Sequence, residues 1–264
     1  MGSAKDILLR PISAQEANAL VRRVHYSGKV VNNSQLHIGV FYNGKLEGAM
    51  QFGPSLDKRK IMGLVAGTGW NEFVELNRMA FTDALPRNSE SRALAIAFKL
   101  LRKHAPQLKW VISFADATQS GDGTIYRAAG FVLTGIKRND QIWQAPDGSV
   151  ATQLVATDTR RPGRARLFAG SMTMLGPKGA ALPRRTILSR VTATKGQHIV
   201  ETGAASMRPF VEMGWQPMDG YQLRYVYFLD PTCRSRLTVP ELPYSAIDEA
   251  GARMYRGERL HADA

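Results

Sequence analysis

The chain has 264 residues, 44% of them hydrophobic, and a formal net charge of +13, enough apolar material for a packed core in one large or two small domains. No apolar run approaches the roughly 18 residues of a membrane span, and the N-terminal MGSAKDILLR lacks the apolar centre of a signal peptide. The single cysteine, Cys233, excludes an internal disulfide framework and a zinc site built from several thiolates. A cytoplasmic protein with no membrane partner is expected, with Cys233 an ordinary packed or surface residue.

SAQE at 13–16 is a capping box, Ser13 as N-cap and Glu16 three residues on. Ala17, Leu20, Val21 and Val24 follow at i, i+3, i+4 and i+7, one apolar helical face that runs into HYSGK. LHIGVFYNGKLEGAMQF alternates around Asn43-Gly44, the signature of a two-residue hairpin. FVELNRMAF at 73–81 reads as a third strand, with Glu75 and Asn77 on one face and Arg78 on the other. TDALPRNSES is a turn-rich loop feeding a helix with a Leu94, Ala97, Phe98, Leu101 stripe that ends before Pro106. LKWVISFAD is nearly continuous apolar sequence, suited to a sheet centre. A Gly/Ser/Thr-rich loop, a short helix in TIYRAAGF and strands in FVLTGIKR and QIWQAP complete the pattern. The order predicts an α/β fold with a mixed, twisted sheet flanked by helices.

Beyond about residue 157 the texture becomes rich in Gly, Pro and Arg. Between Thr159 and Val200 stand nine cations, Arg160, Arg161, Arg164, Arg166, Lys178, Arg184, Arg185, Arg190 and Lys195, and no Asp or Glu. Such a stretch faces a polyanion. Leu167, Phe168 and Ile187 punctuate it, unlike a merely solvated tail, and it lacks the amphipathic aromatic face of a membrane-surface segment. SMRPFVEMGW and QLRYVYFLD return to a helix-then-strand texture, and VPELPYSAIDEAGARMYRGERL reads as an extended segment wrapped on the core. The expected organisation is a core at 1–157, a basic insertion at 158–202, and completion of the core with a tail at 203–264.

Several residues carry candidate chemistry. Asp116 ends the most apolar strand, where open α/β sheets build their sites, though an Asx turn would also use it. Tyr126 either packs its ring or offers a phenol for proton transfer. His25 and Tyr26 close the first helix, a position where the helix dipole alone favours histidine. Arg78 on an apolar face needs an anion, either a coenzyme phosphate or Glu75. His37 reads as a sheet-face histidine. Gly63, Gly67 and Gly69 lack dinucleotide-binding spacing, and the sequence contains neither a Cys/His metal cluster nor a GxSxG elbow.

Over roughly residues 1–155 this order resembles the GNAT acyltransferase fold, with ELNRM, LPRNSESRAL, WVISFAD and TIYRAAGF as the corresponding pieces. The resemblance implies coenzyme A cradled at the start of the long helix and a following strand that splays away to admit the pantetheine. PRNSES stands where the family's glycine-rich pyrophosphate loop would be; backbone N–H groups at a helix start still attract phosphate, and Ser89 or Ser91 would add hydroxyl donors. More specifically, VHYSGK, ELNRM, FADATQSGDGTIYRAAGF, QIW, RYVYFLDP and IDEAGARMYRGER resemble the Mom family of bacteriophage DNA-modification proteins, over nearly the whole chain. That likeness implies conversion of adenine in duplex DNA to its N6-carbamoylmethyl form, shielding phage DNA from restriction. It marks His25, Tyr26, Arg78, Ser91, Asp116 and Tyr126 as functional, and the resemblance to the GNAT fold implies Tyr126 as the general acid that protonates the departing thiolate.

The implied product constrains the chemistry. Acetyl transfer would leave a carbonyl on the adenine nitrogen, whereas this product has a methylene there and a terminal amide. The acyl methyl carbon must therefore be activated and a nitrogen source supplied. A redox metal is one route, and His25, Tyr26 and Asp116 offer nitrogen and oxygen donors acceptable to iron. The expected partners are double-stranded DNA, held by the nine cations, and acetyl-CoA held by Arg78, Ser91 and Ser89. A homodimer is left open. Because the target amine is paired, the base must be extruded, and Trp70, Tyr126 and Trp143 are candidate rings to stack it.

Overall fold

The computed structural model describes residues 2–139, 141–153, 173–175, 198–200 and 207–260. All nine cations of the basic stretch lie outside these residues. Contacts divide the chain into two units, residues 1–137 with 221–264, and residues 138–220.

The first unit is built on a seven-stranded mixed sheet. Its strands are β1 (Leu8–Pro11), β2 (Leu36–Tyr42), β3 (Lys45–Gly53), β4 (Phe73–Phe81), β5 (Trp110–Asp116), β6 (Val132–Arg138) and β12 (Tyr221–Phe228). They lie in the order β1-β2-β3-β4-β5-β12-β6. The capping box forms as its spacing requires: Ser13 Oγ accepts from Glu16 N at 3.2 Å and Glu16 Oε2 accepts from Ser13 N at 2.8 Å. It starts α1 (Ala14–Val24), whose Ala17 and Leu20 pack on Ala49 of β3. Asn43 and Gly44 both take positive φ, 49° and 75°, the geometry that lets a two-residue turn follow the twist of its strands.

Two irregularities in β4 open the sheet. Opposite β3 the register steps from Gln51↔Arg78 to Phe52↔Leu76, so Asn77 is the extra residue of a β-bulge. That accounts for the polar residues which disturb the strand's alternation. On the other side β4 runs parallel to β5 for three pairs only, Phe73↔Trp110, Val74↔Val111 and Glu75↔Ile112. Both strands continue, to Phe81 and Asp116, without pairing further with each other. The expected splay is present. β12 then pairs antiparallel with the whole of β5, from Gln222↔Asp116 to Phe228↔Trp110.

The helix α3 (Ser89–His104) buries Leu94, Ala97, Phe98 and Leu101, the stripe expected of it. Phe98 stacks on Tyr227 at 4.1 Å between ring centroids, and Trp110 stacks on Phe73 at 4.4 Å. α2 (Lys58–Met62) lies between β3 and β4, and α4 (Thr124–Ala128) between β5 and β6. Tyr126 of α4 leans on Phe131 and Tyr225, at 5.2 and 5.4 Å. The C-terminal segment does wrap the core, through the bridges Val65↔Leu237 and Leu133↔Leu242. It is not extended throughout, however: α6 (Ser245–Glu249) and a hairpin of β13 (Met254–Tyr255) and β14 (Glu258–Arg259) follow.

In the second unit β7 (Ile142–Gln144), β8 (Val150–Thr152) and β11 (Gln216–Pro217) form a three-stranded sheet with β7 central. α5 (Arg208–Glu212) sets buried Phe210 edge-on to Trp215 at 5.3 Å. β9 (Thr173–Leu175) and β10 (His198–Val200) pair with each other. Asn139 N donates to Gly220 O at 2.7 Å, which ties the two ends of the unit together.

Gly123 opens α4 at φ +84°, and a Cβ there would stand 2.5 Å from Tyr225 Cε2, whereas Gly251 at φ +64° has nothing within 4 Å. Gly251→Ala is expected to lose about 1–2 kcal/mol for a left-handed backbone alone, and Gly123→Ala distinctly more. Urea midpoints of the two variants compared with wild type check this order; equal losses would mean that Tyr225 yields freely.

Candidate active site

Where β4 and β5 part, the first unit encloses a cavity of about 480 Å³. His25, Tyr26, Arg78, Asp116 and Tyr126 all line it. Five of the residues singled out from sequence thus share one concavity, brought there by the end of α1, the bulged half of β4, the last residue of β5 and the helix after it.

Each side chain is held in a defined state. Ser27 N donates to His25 Nδ1 at 3.2 Å, so the neutral ring carries its proton on Nε2. Burial, then the Arg78 guanidinium, pulls His25 down to about 4, so it is neutral at ordinary pH. Tyr26 as a whole residue is 49% exposed. Enclosure of its hydroxyl end and the Asp116 carboxylate, to which it hydrogen-bonds, push the phenol well above the usual tyrosine range. Asp116 Oδ1 accepts from Thr118 N at 3.0 Å and Oδ2 from Gln119 Nε2 at 3.1 Å. Asp116 therefore makes its Asx turn and faces the cavity at once. Tyr126 reaches Ser113, and burial raises its pKa; Ser113 Oγ in turn donates to Leu76 O at 3.3 Å.

Arg78 Nε donates to Lys29 O at 3.0 Å and Nη1 to Asn77 O at 2.7 Å. Carbonyls satisfy these donors without neutralising the guanidinium, so Arg78 brings a positive charge to a cavity that Glu90, Asp116, Asp122 and Arg256 also line. Ser91 does not join it. Ser91 lines a second concavity with Lys5, Arg87 and Arg92, at the first turn of α3, where Asn88 provides no side-chain cap. Ser89 is fully buried and its Oγ donates to Pro86 O at 2.6 Å, so that hydroxyl secures the loop. His37 lies on β2 with Nδ1 3.1 Å from Gln51 Nε2, a sheet-face position. Of the three candidate stacking rings only Tyr126 borders the cavity; Trp70 lies on the β3–β4 connection and Trp143 in the second unit.

Met254, Tyr255 and Arg256 also line the cavity, and sequence reasoning missed them. The β13–β14 hairpin is fastened over the β5–α4 loop by Asp122 N donating to Met254 O at 3.1 Å and Gly257 N to Ser120 O at 2.7 Å. Its turn uses Arg256 and Gly257 at φ 48° and 84°. The Gly was a visible signal, but arginine is an uncommon first residue for such a turn. Among the described residues, no group of three or more His, Cys, Asp or Glu side chains is placed to hold a metal ion. The expected set has two such members and a phenol that is hydrogen-bonded to one of them.

The profile of the Mom protein family matches residues 6–176. The chain belongs to the Mom protein family. A relative from Escherichia phage Mu, named methylcarbamoylase mom, is 34% identical over 165 residues, covering 62% of this chain and 68% of its own. Solved structures similar to the chain include the Escherichia coli ribosomal-protein-S18-alanine N-acetyltransferase, with TM-score 0.37 and 17% identity over 55% of this chain and 88% of that one. A GNAT family acetyltransferase from Elizabethkingia anophelis has TM-score 0.37 and 16% identity over 56% and 93%. The fold class rests on the strand order and on the divergence of β4 from β5.

Burial raises the Glu75 carboxyl above its ordinary 4.5, opposed by hydrogen bonds with Ser55 and Asn77 and by the Arg78 charge. The folded state thus binds this proton more tightly than the unfolded chain does. The stability contributed is complete below pH 4.5 and is lost as pH rises through the raised value. Tm measured from pH 4.5 upward is expected to fall less in Glu75→Gln than in wild type; parallel profiles would contradict the assignment.

Proposed function

We propose that the chain is a transferase that converts adenine in duplex DNA to N6-(carbamoylmethyl)adenine, drawing its two carbons from acetyl-CoA. The observation that carries this reading is the family match together with one cavity that gathers His25, Tyr26, Arg78, Asp116 and Tyr126. The acyl-CoA part is supported by the parting of β4 from β5, which leaves strand edges free to meet an extended pantetheine chain, and by the basic concavity around Ser91, Arg87 and Arg92 at an uncapped helix start, which suits phosphate. Arg78 supplies a fixed positive charge for the thioester oxygen or the departing thiolate.

The balance of the reaction defines what the site must do. Adenine, acetyl-CoA and ammonia give the carbamoylmethyl product and coenzyme A only with removal of two hydrogens, so a two-electron oxidant is consumed. In this reading Tyr126, a phenol that holds its proton, protonates the leaving thiolate, and Asp116 orients Tyr26 beside the adenine amine. His25, Tyr26 and Asp116 would hold iron, which when bound supplies one-electron activation of the acyl methyl group. Their donor set is acceptable to iron, and binding requires that Tyr26 release its proton and that His25 adopt its other tautomer. The half-exposed ring of Tyr255, also at the cavity, is suited to stack an extruded base. The basic insertion at 158–202, with Arg160, Arg161, Arg164, Arg166, Lys178, Arg184, Arg185, Arg190 and Lys195, would hold the DNA backbone. The modified base would then block cleavage by restriction enzymes.

Nucleoside mass spectrometry of DNA from cells expressing the chain tests the reading directly. Wild type is expected to yield carbamoylmethyladenine, and Tyr126→Phe to fold normally while slowing its formation by about 10²-fold. DNA binding without any adduct would leave a binding protein on an acyltransferase shell and overturn the proposal. Acetyl-CoA is expected to raise Tm in wild type and not in Arg78→Ala, since a ligand bound only by the folded state stabilises it; an unchanged shift would move the coenzyme away from Arg78. His25→Ala and Asp116→Ala are each expected to lose metal and adduct together. Undiminished modification by metal-free protein in chelator would remove iron from the reading.

A further inference from the structure

The connection from β3 to β4 has no part in the chemistry of the cavity, yet it carries the most exposed large apolar side chain among the described residues. Leu56 is 96% exposed. It does not sit on a loose tip. Ser55 beside it is buried, Asp57 accepts from Lys60 N to cap α2, and Ile61 and Met62 of that helix pack on the cluster of Leu64, Val65, Phe73 and Trp110. An anchored turn therefore presents a bare leucine to solvent.

The next residues are charged. Lys58, Arg59 and Lys60 are consecutive, with Arg59 and Lys60 exposed. Lys58 Nζ lies 4.6 Å from the ring centroid of Trp70, itself 52% exposed. The acids of residues 54–72 are Asp57 and Glu72, and both are engaged with backbone: Asp57 with Lys60 N, and Glu72 Oε2 accepting from Gly69 N at 2.7 Å. An apolar point, an aromatic face and three cations that form no ion pair among the described residues share this connection.

The turn is tied to segments that continue into the cavity wall at Tyr26 and Leu76, although residues 53–60 do not themselves line it. Asn33 Nδ2 donates to Pro54 O at 2.7 Å, and Gly53 pairs with Glu75. Asn33 belongs to the segment after α1 that begins with His25 and Tyr26, and Leu56 is two residues beyond Pro54, at most about 7 Å of chain.

We propose that Leu56, carried on the basic turn Asp57–Lys60, is a wedge that enters the base stack of duplex DNA next to the target adenine, while Arg59 and Lys60 hold the flanking phosphates. This rests on the reading of the chain as a duplex-DNA adenine-modifying enzyme. A paired adenine amine cannot reach a concave site, and unstacking by an inserted apolar side chain, steadied by cations on the backbone, is how a protein lowers the cost of extrusion.

The test compares short duplexes carrying adenine opposite thymine with the same duplexes carrying an abasic site opposite it, using full-length protein and counting carbamoylmethyladenine. Leu56→Ser is expected to keep its Tm, bind both duplexes within about twofold of wild type, and modify the paired adenine roughly tenfold or more slowly, with near wild-type rates on the abasic duplex, where no pair has to be opened. Arg59→Ala with Lys60→Ala is expected to weaken binding to both duplexes and to reduce the salt slope by about 0.9 per lost phosphate contact. Equal modification of the paired adenine by wild type and Leu56→Ser would overturn the wedge alone and leave Leu56 to a protein partner. A Leu56→Ser defect that is the same on both duplexes would also overturn it. Failure of wild type to modify either duplex would overturn the functional reading and the wedge with it.

Discussion

The parting of β4 from β5 after three residue pairs is the constraint on which the site depends. Parallel strands left to themselves would zip together, so the gap must be held from outside. On one side β12 occupies the far edge of β5 over seven pairs, and on the other β3 holds β4 as far as Phe81. The bulge at Asn77 turns β4 just as its pairing with β5 ends, and Asn77 Oδ1 accepts from Ser34 Oγ at 3.1 Å, fixing the turn to the segment above it. Polar side chains within a buried strand are thus the means by which the sheet opens at a chosen residue.

The opening has a consistent electrostatic character. His25 is stripped of its proton by burial, Tyr26 and Tyr126 hold theirs, and Arg78 remains charged while bonded to carbonyls. Burial is the first cause of all three shifts; the Arg78 guanidinium adds to it at His25 and opposes it, without reversing it, at both phenols. The cavity therefore sets neutral proton donors among two guanidinium groups, Arg78 and Arg256, and the carboxyl groups of Glu90, Asp116 and Asp122, so that charge growing on a bound group would be met by fixed groups of either sign.

Much of this could be read from residues whose reasons are local. The capping box at Ser13, the Asn43-Gly44 turn, the stripe on α3 and the apolar run of β5 each follow from short-range rules, and each appears where its spacing puts it. The cluster of His25, Tyr26, Arg78, Asp116 and Tyr126 was legible through family motifs, although its members come from distant elements. Pairings between distant segments were beyond the reach of sequence. The spread of the proposed coenzyme set is an example: Arg78 lines the cavity, Ser91 lines the concavity at the start of α3, and Ser89 is buried beside it. The β13–β14 hairpin was missed for the same reason, since only its bonds to the β5–α4 loop give it a place at the site.

The position of β12 has a consequence for how the chain comes to be active. The strand that braces β5 is made more than a hundred residues after it, with the basic stretch and the whole second unit in between. Pairing over such separations is slow, because a long loop must close before any bond rewards it. A nascent chain would carry His25, Arg78, Asp116 and Tyr126 through most of its synthesis without the brace that sets the gap between β4 and β5, and without the hairpin that closes the cavity. Competence to modify a base would therefore await the synthesis and docking of β12 and of the β13–β14 hairpin.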